Sequence, residues 1–393
     1  MRVLLVHNRY QLKGGEDSVF QAEHALLQGA GIDVGIYDVS NDAIGGLGSQ
    51  VRTLATVAYS AQSRRKVEAV IRQHRPDIVH VHNFFPLITP SIFHACAAAG
   101  LPVVWSIHNF RVTCANGLLF RNGAPCEKCL GKSPLPGILH RCYRNSLPAS
   151  LGVAGMIGIN RMLGTWRHKV TRFIALNDFG KAKLIASGLP GEKIRVKPNF
   201  VVDPGMSVEQ GEAPRGGVLF VGRLSHEKGL ASVITAWRDL SIPLTIIGEG
   251  PEEERLRAMA GPSIRFLGWQ EPDSVRRHMR EAAGMIVPSL WYENFPMTIV
   301  EAFAVGTPVF ASRLGAMPYL IRDGIDGFLF DPGDSVDIAD VVNTVFKTPA
   351  RLADASRFAR QSYELNLTPE ANIALLLSIY EGAIAEMSAE AVN

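Results

Sequence analysis

Short apolar runs recur along the whole chain, and helical patterns alternate with them. In the first half the runs are V-L-L-V (3–6), D-I-V-H-V-H (77–82), P-V-V-W-S-I-H (102–108) and R-F-I-A-L-N (172–177). The series restarts after K-P-N-F-V-V-D-P-G (197–205), with G-V-L-F-V-G (217–222), L-T-I-I-G (244–248), I-R-F-L-G (264–268), G-M-I-V-P (284–288) and P-V-F-A-S (308–312). Each run has strand length and is bounded by Gly, Pro, Asp or Asn. Strands that alternate with helices predict parallel sheets wrapped by helices.

The 393 residues exceed one ordinary core and suit two domains. The reading is α/β, two Rossmann-like domains facing across a cleft. The first spans 1–200, the second 201–367, and a last helix from 368 to 393 is expected to pack back on the first. Ligands of such sheets bind beyond the carboxyl ends of the strands. Neither a G-x-G-x-x-G after the first strand nor a G-K-[ST] phosphate loop is present, which argues against a dinucleotide oxidoreductase and against phosphoryl transfer from ATP.

Charge separates the halves. Residues 1–200 carry 24 Lys or Arg against 11 Asp or Glu, and the remainder 16 against 26, for a net +3 overall. A basic first domain suits an anionic partner, whether phosphorylated acceptor or lipid surface, and solvated surface cations fit it as well. No nucleic-acid recognition motif accompanies it, so nucleic acid is not an expected partner. No run reaches bilayer-spanning length, and M-R-V-L-L-V-H-N reads as a strand, not a signal peptide. A cytoplasmic protein is expected, with any membrane contact peripheral at the inner face. N-R-M-L-G-T-W-R-H-K-V-T-R mixes Met162, Leu163 and Trp166 with cations, as an interfacial helix does.

The chemistry concentrates in W-Y-E-N-F-P-M-T-I-V-E (291–301). Pro296 has its φ preset for a first helical position. The amides around Phe295, Pro296, Met297 and Thr298 (proline itself has none) then form a helix N-terminus suited to a diphosphate. Glu293 lies just outside that helix, where a carboxylate accepts hydrogen bonds from hydroxyls. Glu301 lies inside among apolar neighbours, and a carboxylate there needs partners. A ribose diol would serve; so would a buried salt bridge, just as Glu293 fits a solvated turn. In F-V-G-R-L-S-H-E-K-G-L (220–230), Arg223 follows a strand and Lys228 comes five residues later. Together they offer a forked and a point cation for one diphosphate.

Taken in order, G-R-L-S-H-E-K-G, I-I-G-E-G-P-E, F-L-G-W, Glu293 through Glu301, and G-T-P-V resemble the retaining nucleotide-sugar glycosyltransferases of family four, which have the GT-B fold. The resemblance covers about 170 residues of the second half, the first half fitting more loosely. It implies a second domain that binds the nucleotide-sugar donor and a first domain on the acceptor side. It further implies that Arg223 and Lys228 hold the diphosphate and stabilise the leaving nucleotide, that Glu293 contacts sugar hydroxyls, and that Glu301 contacts the ribose. Gly14 and Gly15 would let the backbone approach the donor, and His108 would lie near the reacting sugar. His80 and His82 are expected to be core or supporting residues. E-N-F-P stands where the family often has E-G-F-G, which leaves the donor sugar open. Gly268-Trp269 is the expected base-binding segment. No cofactor is required for catalysis on this reading. The activity implied is hexosyl transfer to a glycan or lipid-linked acceptor in cell-surface polysaccharide biosynthesis. A nucleotide-sugar 2-epimerase of the same fold and a non-catalytic donor-binding scaffold are the alternatives.

Four of the five cysteines, Cys114, Cys126, Cys129 and Cys142, cluster within an insertion at about 111–145. The central C-x-x-C with one cysteine on either side has the form of a four-thiolate structural zinc site. Redox chemistry and ordinary thiols are the other readings. The insertion follows His108 directly and is expected to shape acceptor recognition.

Overall fold

The apolar runs become the strands of two parallel six-stranded sheets. The computed structural model describes residues 1–11, 14–205 and 215–392, and they divide into two units. The first holds 1–119, 126–199 and 372–393; the second holds 120–125 and 200–371. Strands in chain order are β1 (Arg2–Arg9), β2 (Asp33–Ser40), β3 (Ile78–Val81), β4 (Val103–Ser106), the hairpin β5 (Phe120–Arg121) and β6 (Ala124–Pro125), β7 (Arg172–Ala175) and β8 (Ile194–Val196). They continue as β9 (Val218–Val221), β10 (Leu244–Ile247), β11 (Ile264–Gly268), β12 (Gly284–Val287), β13 (Val309–Ser312) and β14 (Gly327–Phe330).

The first sheet runs β2-β1-β3-β4-β7-β8. Alternate residues of β1 feed opposite faces. Leu4 and Val6 join Val79, Val81, Trp105 and Phe173 in one core. Val3 and Leu5 join Val104, Ile174, Leu376, Ile379, Tyr380 and Ala383 in the other. The last four lie on the final helix, Pro369–Val392, whose residues from 372 onward therefore belong to the first unit. Complete burial of each such side chain contributes about 1.5–3 kcal/mol. Phe120–Pro125, inside the cysteine-rich insertion, group with the second unit.

The second sheet runs β11-β10-β9-β12-β13-β14. From β9 the chain builds outward through β10 and β11, then returns to the other side of β9 with β12. The strand order reverses between β9 and β12, and in the first unit between β1 and β3. These are the places where the loops after two adjacent strands diverge and leave a crevice.

Candidate active site

The loops that leave β9 and β12 carry the residues picked out by their motifs. Arg223 follows β9 and is exposed. Lys228 ends the short turn His226–Lys228, after which Gly229 opens the helix Leu230–Ala236. Glycine is required at 229: its φ is +71°, and a Cβ would fall 1.9 Å from the Pro288 carbonyl oxygen. That close approach brings the Arg223–Lys228 loop onto the loop after β12. There the Lys228 Nζ donates to Glu293 Oε1 at 2.7 Å, and the Ser289 hydroxyl donates to the same oxygen at 2.7 Å. Burial alone would raise the Glu293 carboxyl, but the Lys228 charge and these hydrogen bonds outweigh it and hold the carboxyl below its ordinary value. Glu293 is thus an ionised, buried carboxylate fixed by a half-buried ammonium, not a solvated turn residue.

Glu301 has a different environment. It sits on the helix Met297–Ala304 and lines a cavity of about 460 Å³ with Arg223, Glu249, Trp269 and Arg276. Burial pushes its carboxyl up to about 7, against the opposing charge of Arg276. The two glutamates of one motif therefore differ: one is ionised and paired, the other is poised near neutrality in an open cavity. Gly248 forms part of the cavity wall, where a Cβ would meet the Gly222 carbonyl at 2.0 Å. The Trp269 ring is 61 % exposed, so a planar base has an aromatic face to stack on. Helix Met297–Ala304 starts one residue later than expected. Pro296 is its N-cap, with ψ of 105°, and Met297 and Thr298 form the first turn behind the buried Phe295.

In the first unit, Gly14 caps the helix Gly15–Gly29. Neither glycine has a positive φ, and among the described residues, chain neighbours and the helix's own backbone aside, a Cβ at either would meet no atom within 4 Å. The fold itself does not require glycine at these two positions.

His108 belongs to a buried network that composition could not reveal. Its Nε2 lies 3.2 Å from His82 Nδ1, with the two rings stacked. The His82 Nε2 lies 3.2 Å from Glu23 Oε1, and Glu23 Oε2 accepts from Lys197 Nζ at 2.8 Å. His80 sits beside the same carboxylate, its Nδ1 2.6 Å from the Tyr380 hydroxyl and its Nε2 2.8 Å from Ser106 Oγ. Burial lowers His82 to about 4 and His108 well below its ordinary value, so both rings are neutral at pH 7. With Glu23 ionised, the tautomer that turns a His82 Nε2 proton toward this carboxylate makes Nδ1 the acceptor for a proton on His108 Nε2, although the His82 Nε2–Glu23 Oε1 contact lies outside hydrogen-bond geometry. That leaves His108 Nδ1 with a free lone pair. Glu23, His80 and His82 hold donor atoms within 4.8 Å of one another. Lys197 supplies a cation to Glu23 Oε2, while Glu23 Oε1 and His82 Nε2 are buried without a hydrogen-bond partner.

The four cysteines of the expected thiolate site all belong to the first unit. Burial raises the Cys129 thiol, with smaller upward contributions from Cys114, Cys142 and Cys126, so all four lie in one neighbourhood. Yet among the described residues no three of their sulfurs come within 4.8 Å of one another. The Cys114 thiol instead donates to Asn116 Oδ1 at 2.9 Å.

The interfacial reading around Trp166 also changes. Trp166 is 3 % exposed and packs against Phe84, Phe93 and Trp105. The exposed apolar side chains lie just before it, on and after the helix Leu147–Met162: Leu147, Leu151, Ile159, Met162 and Leu163. No described helix is long and apolar enough to cross a membrane.

Comparison with known proteins follows the same division. A family model described as Glycosyltransferase Family 4 matches residues 27–203, and one described as Glycosyl transferases group 1 matches 212–362. The chain is 31 % identical over 225 residues to a phosphatidyl-myo-inositol mannosyltransferase of Mycobacterium leprae, covering 54 % of this chain and 58 % of that protein. It is 29 % identical over 199 residues to the amylovoran biosynthesis glycosyltransferase AmsK of Erwinia amylovora, covering 46 % and 49 %. The chain thus spans only about half the length of the curated relatives it matches. The crystal structure of Anabaena HepE in complex with UDP superposes with a TM-score of 0.67 at 19 % identity, covering 96 % of this chain and all of that one.

Proposed function

From the premise that the chain belongs to the group 1 glycosyltransferases with the GT-B fold, we propose that it moves a sugar from a nucleoside diphosphate sugar to a glycan or lipid-linked acceptor, with retention of configuration. The observation that carries this reading is the convergence of Arg223 and Glu301 on one cavity beside the Lys228–Glu293 pair, at the switch point of the second sheet. Arg223 and Lys228 are the diphosphate ligands. Glu301 accepts from the ribose hydroxyls, against a base stacked on Trp269. Glu293 orients Lys228 and meets the donor's sugar hydroxyls.

In this reaction the bond from the anomeric carbon to the diphosphate oxygen breaks, and the acceptor oxygen bonds to that carbon on the same face. The acceptor proton passes to the leaving phosphate oxygen. The protein's part is positioning and preorganised charge. His108, neutral and fixed by His82, is assigned to the sugar, and Gly14 and Gly15 to close backbone approach. We further assign the protein to cell-surface polysaccharide synthesis in the cytoplasm, peripheral to the inner membrane face. Residues 128–177 support that placement with eight Lys or Arg and no Asp or Glu, alongside the exposed leucines of the helix Leu147–Met162.

The test is a thermal-shift panel of uridine, guanosine, adenosine and thymidine diphosphates and their sugar conjugates. One base should stabilise the protein by about 2.7 kcal/mol at a hundredfold excess over its Kd, and Glu301→Ala should abolish the shift. No shift with any nucleotide would overturn the donor assignment.

A further inference from the structure

The first unit contains a second cavity, of about 470 Å³, between the helices Leu47–Thr56 and Leu147–Met162. Its volume falls in the range of sites for small ligands. Its walls are largely apolar, with Ile44, Leu54, Val57, Phe85, Ala149 and Val153 among them, and none of its lining residues is acidic. Amides and hydroxyls line it as well, from Gln11, Asn41, Gln50, Thr53 and Ser146, but no carboxylate does. Two guanidinium groups nevertheless stand at the lining, Arg111 and Arg144.

Neither arginine is ion-paired among the described residues. Arg111 lies 4.3 Å over the Phe85 ring and donates from Nη1 to the Ala115 carbonyl, while its Nε is buried with no partner. Glu16, the carboxylate that interacts with it, is pushed up to about 8 by burial and is mostly protonated at neutral pH. Arg144 is exposed, stacks on Tyr143 and precedes Ser146, the N-cap of the helix Leu147–Met162, whose positive dipole end also favours an anion.

We propose that this cavity binds the phosphate-bearing end of a lipid-linked acceptor, with the apolar carbons nearest the phosphate held among Leu54, Val57, Ala149 and Val153 and the phosphate on Arg111 and Arg144. The proposal rests on the transferase reading and gives its acceptor a chemical class. The cavity holds only the head-proximal part of a long chain, so the rest of the lipid stays in the bilayer.

The experiment is isothermal titration calorimetry of the full chain with farnesyl diphosphate below its micelle concentration. Inorganic diphosphate and farnesol are titrated separately, and the nucleotide diphosphates in parallel. Farnesyl diphosphate should bind at least about tenfold more tightly than either fragment. Ala149→Phe, which fills the cavity, and Arg144→Gln, which changes an exposed side chain and leaves the core intact, should each weaken it by about tenfold. Nucleotide binding should be unchanged in both. Equal binding of inorganic diphosphate would reduce the site to an anion site and overturn the proposal. So would unaltered farnesyl diphosphate affinity in both variants. Phosphatidylglycerol vesicles are the third arm: an equal loss of vesicle binding in Ala149→Phe would mean that the cavity reads bulk lipid, which also overturns it. If farnesyl diphosphate binding depends on the cavity while no nucleotide binds, the cavity assignment stands and the donor reading falls.

Discussion

Replacing Glu301 by Gln separates the cost of a binding site from its use. Burial holds the carboxyl at about 7 against an ordinary 4.5. That difference corresponds to about 3 kcal/mol of preference for the protonated form, and residual solvent at the cavity mouth reduces it to about 1–3 kcal/mol. The folded-state value lies above the unfolded one, so between pH 4.5 and 7 the native protein binds more protons than the unfolded chain. Stability contributed by this group is present at low pH and is lost as pH rises toward 7. Gln mimics the protonated acid at every pH. The variant should match the wild type near pH 4.5 and exceed it by about 1–3 kcal/mol at pH 8. For a unit of this size that is about 2–4 °C per kcal/mol in the transition of the second unit. Calorimetric melting at pH 4.5, 6, 7 and 8 reads the difference directly. The same variant should bind the nucleotide more weakly, because ribose hydroxyls stabilise the ionised carboxylate and an amide replaces it poorly. Equal melting of variant and wild type at pH 8 would refute the account of Glu301.

Three further outcomes follow from named contacts. Lys228→Met leaves Glu293 buried without its ammonium and should cost about 3–5 kcal/mol; adding Glu293→Gln should restore most of that stability but no transferase activity, as read by urea denaturation and product formation. Nitrogen-15 spectra of the imidazoles should show His82 and His108 neutral at pH 6 and protonated at Nε2. Finding His108 protonated at Nδ1 would break the chain from Glu23. Leu151→Asp with Met162→Asp changes only exposed side chains, so melting should stay within about 1 kcal/mol of wild type, while co-sedimentation with anionic vesicles at low salt should fall at least about tenfold.

Much of the architecture was legible because strand runs and their boundaries are local properties. β9, β10, β12 and β13 fall on G-V-L-F-V-G, L-T-I-I-G, G-M-I-V-P and P-V-F-A-S. The placement of residues joined by turns was legible too, since Arg223, Lys228 and Glu293 need only the loops after two adjacent strands. Pro296 shows where such reading ends. Proline fixes φ, and −71° fits a cap as well as a first helical residue. The ψ of 105° that makes it a cap is set by its surroundings, not by its ring. Trp166 fails for a related reason, because the composition of one segment does not say which face turns toward Trp105 and Phe84.

The least legible feature is the support beneath His108. Glu23 reads as an ordinary helical glutamate and Lys197 as one of many surface cations, and 174 residues separate them. Only the folded sheet brings the helix after β1 and the segment after β8 to the same buried point. Once there, the ammonium keeps Glu23 ionised in a place where desolvation alone would protonate it. The ionised carboxylate in turn favours a proton on the His82 nitrogen that faces it, and His82 Nδ1 is then the acceptor for His108. A motif search finds His108, with His80 and His82 as expected support, but neither Glu23 nor Lys197, because what connects them is a sequence of protonation states, and those exist only after folding has removed the water.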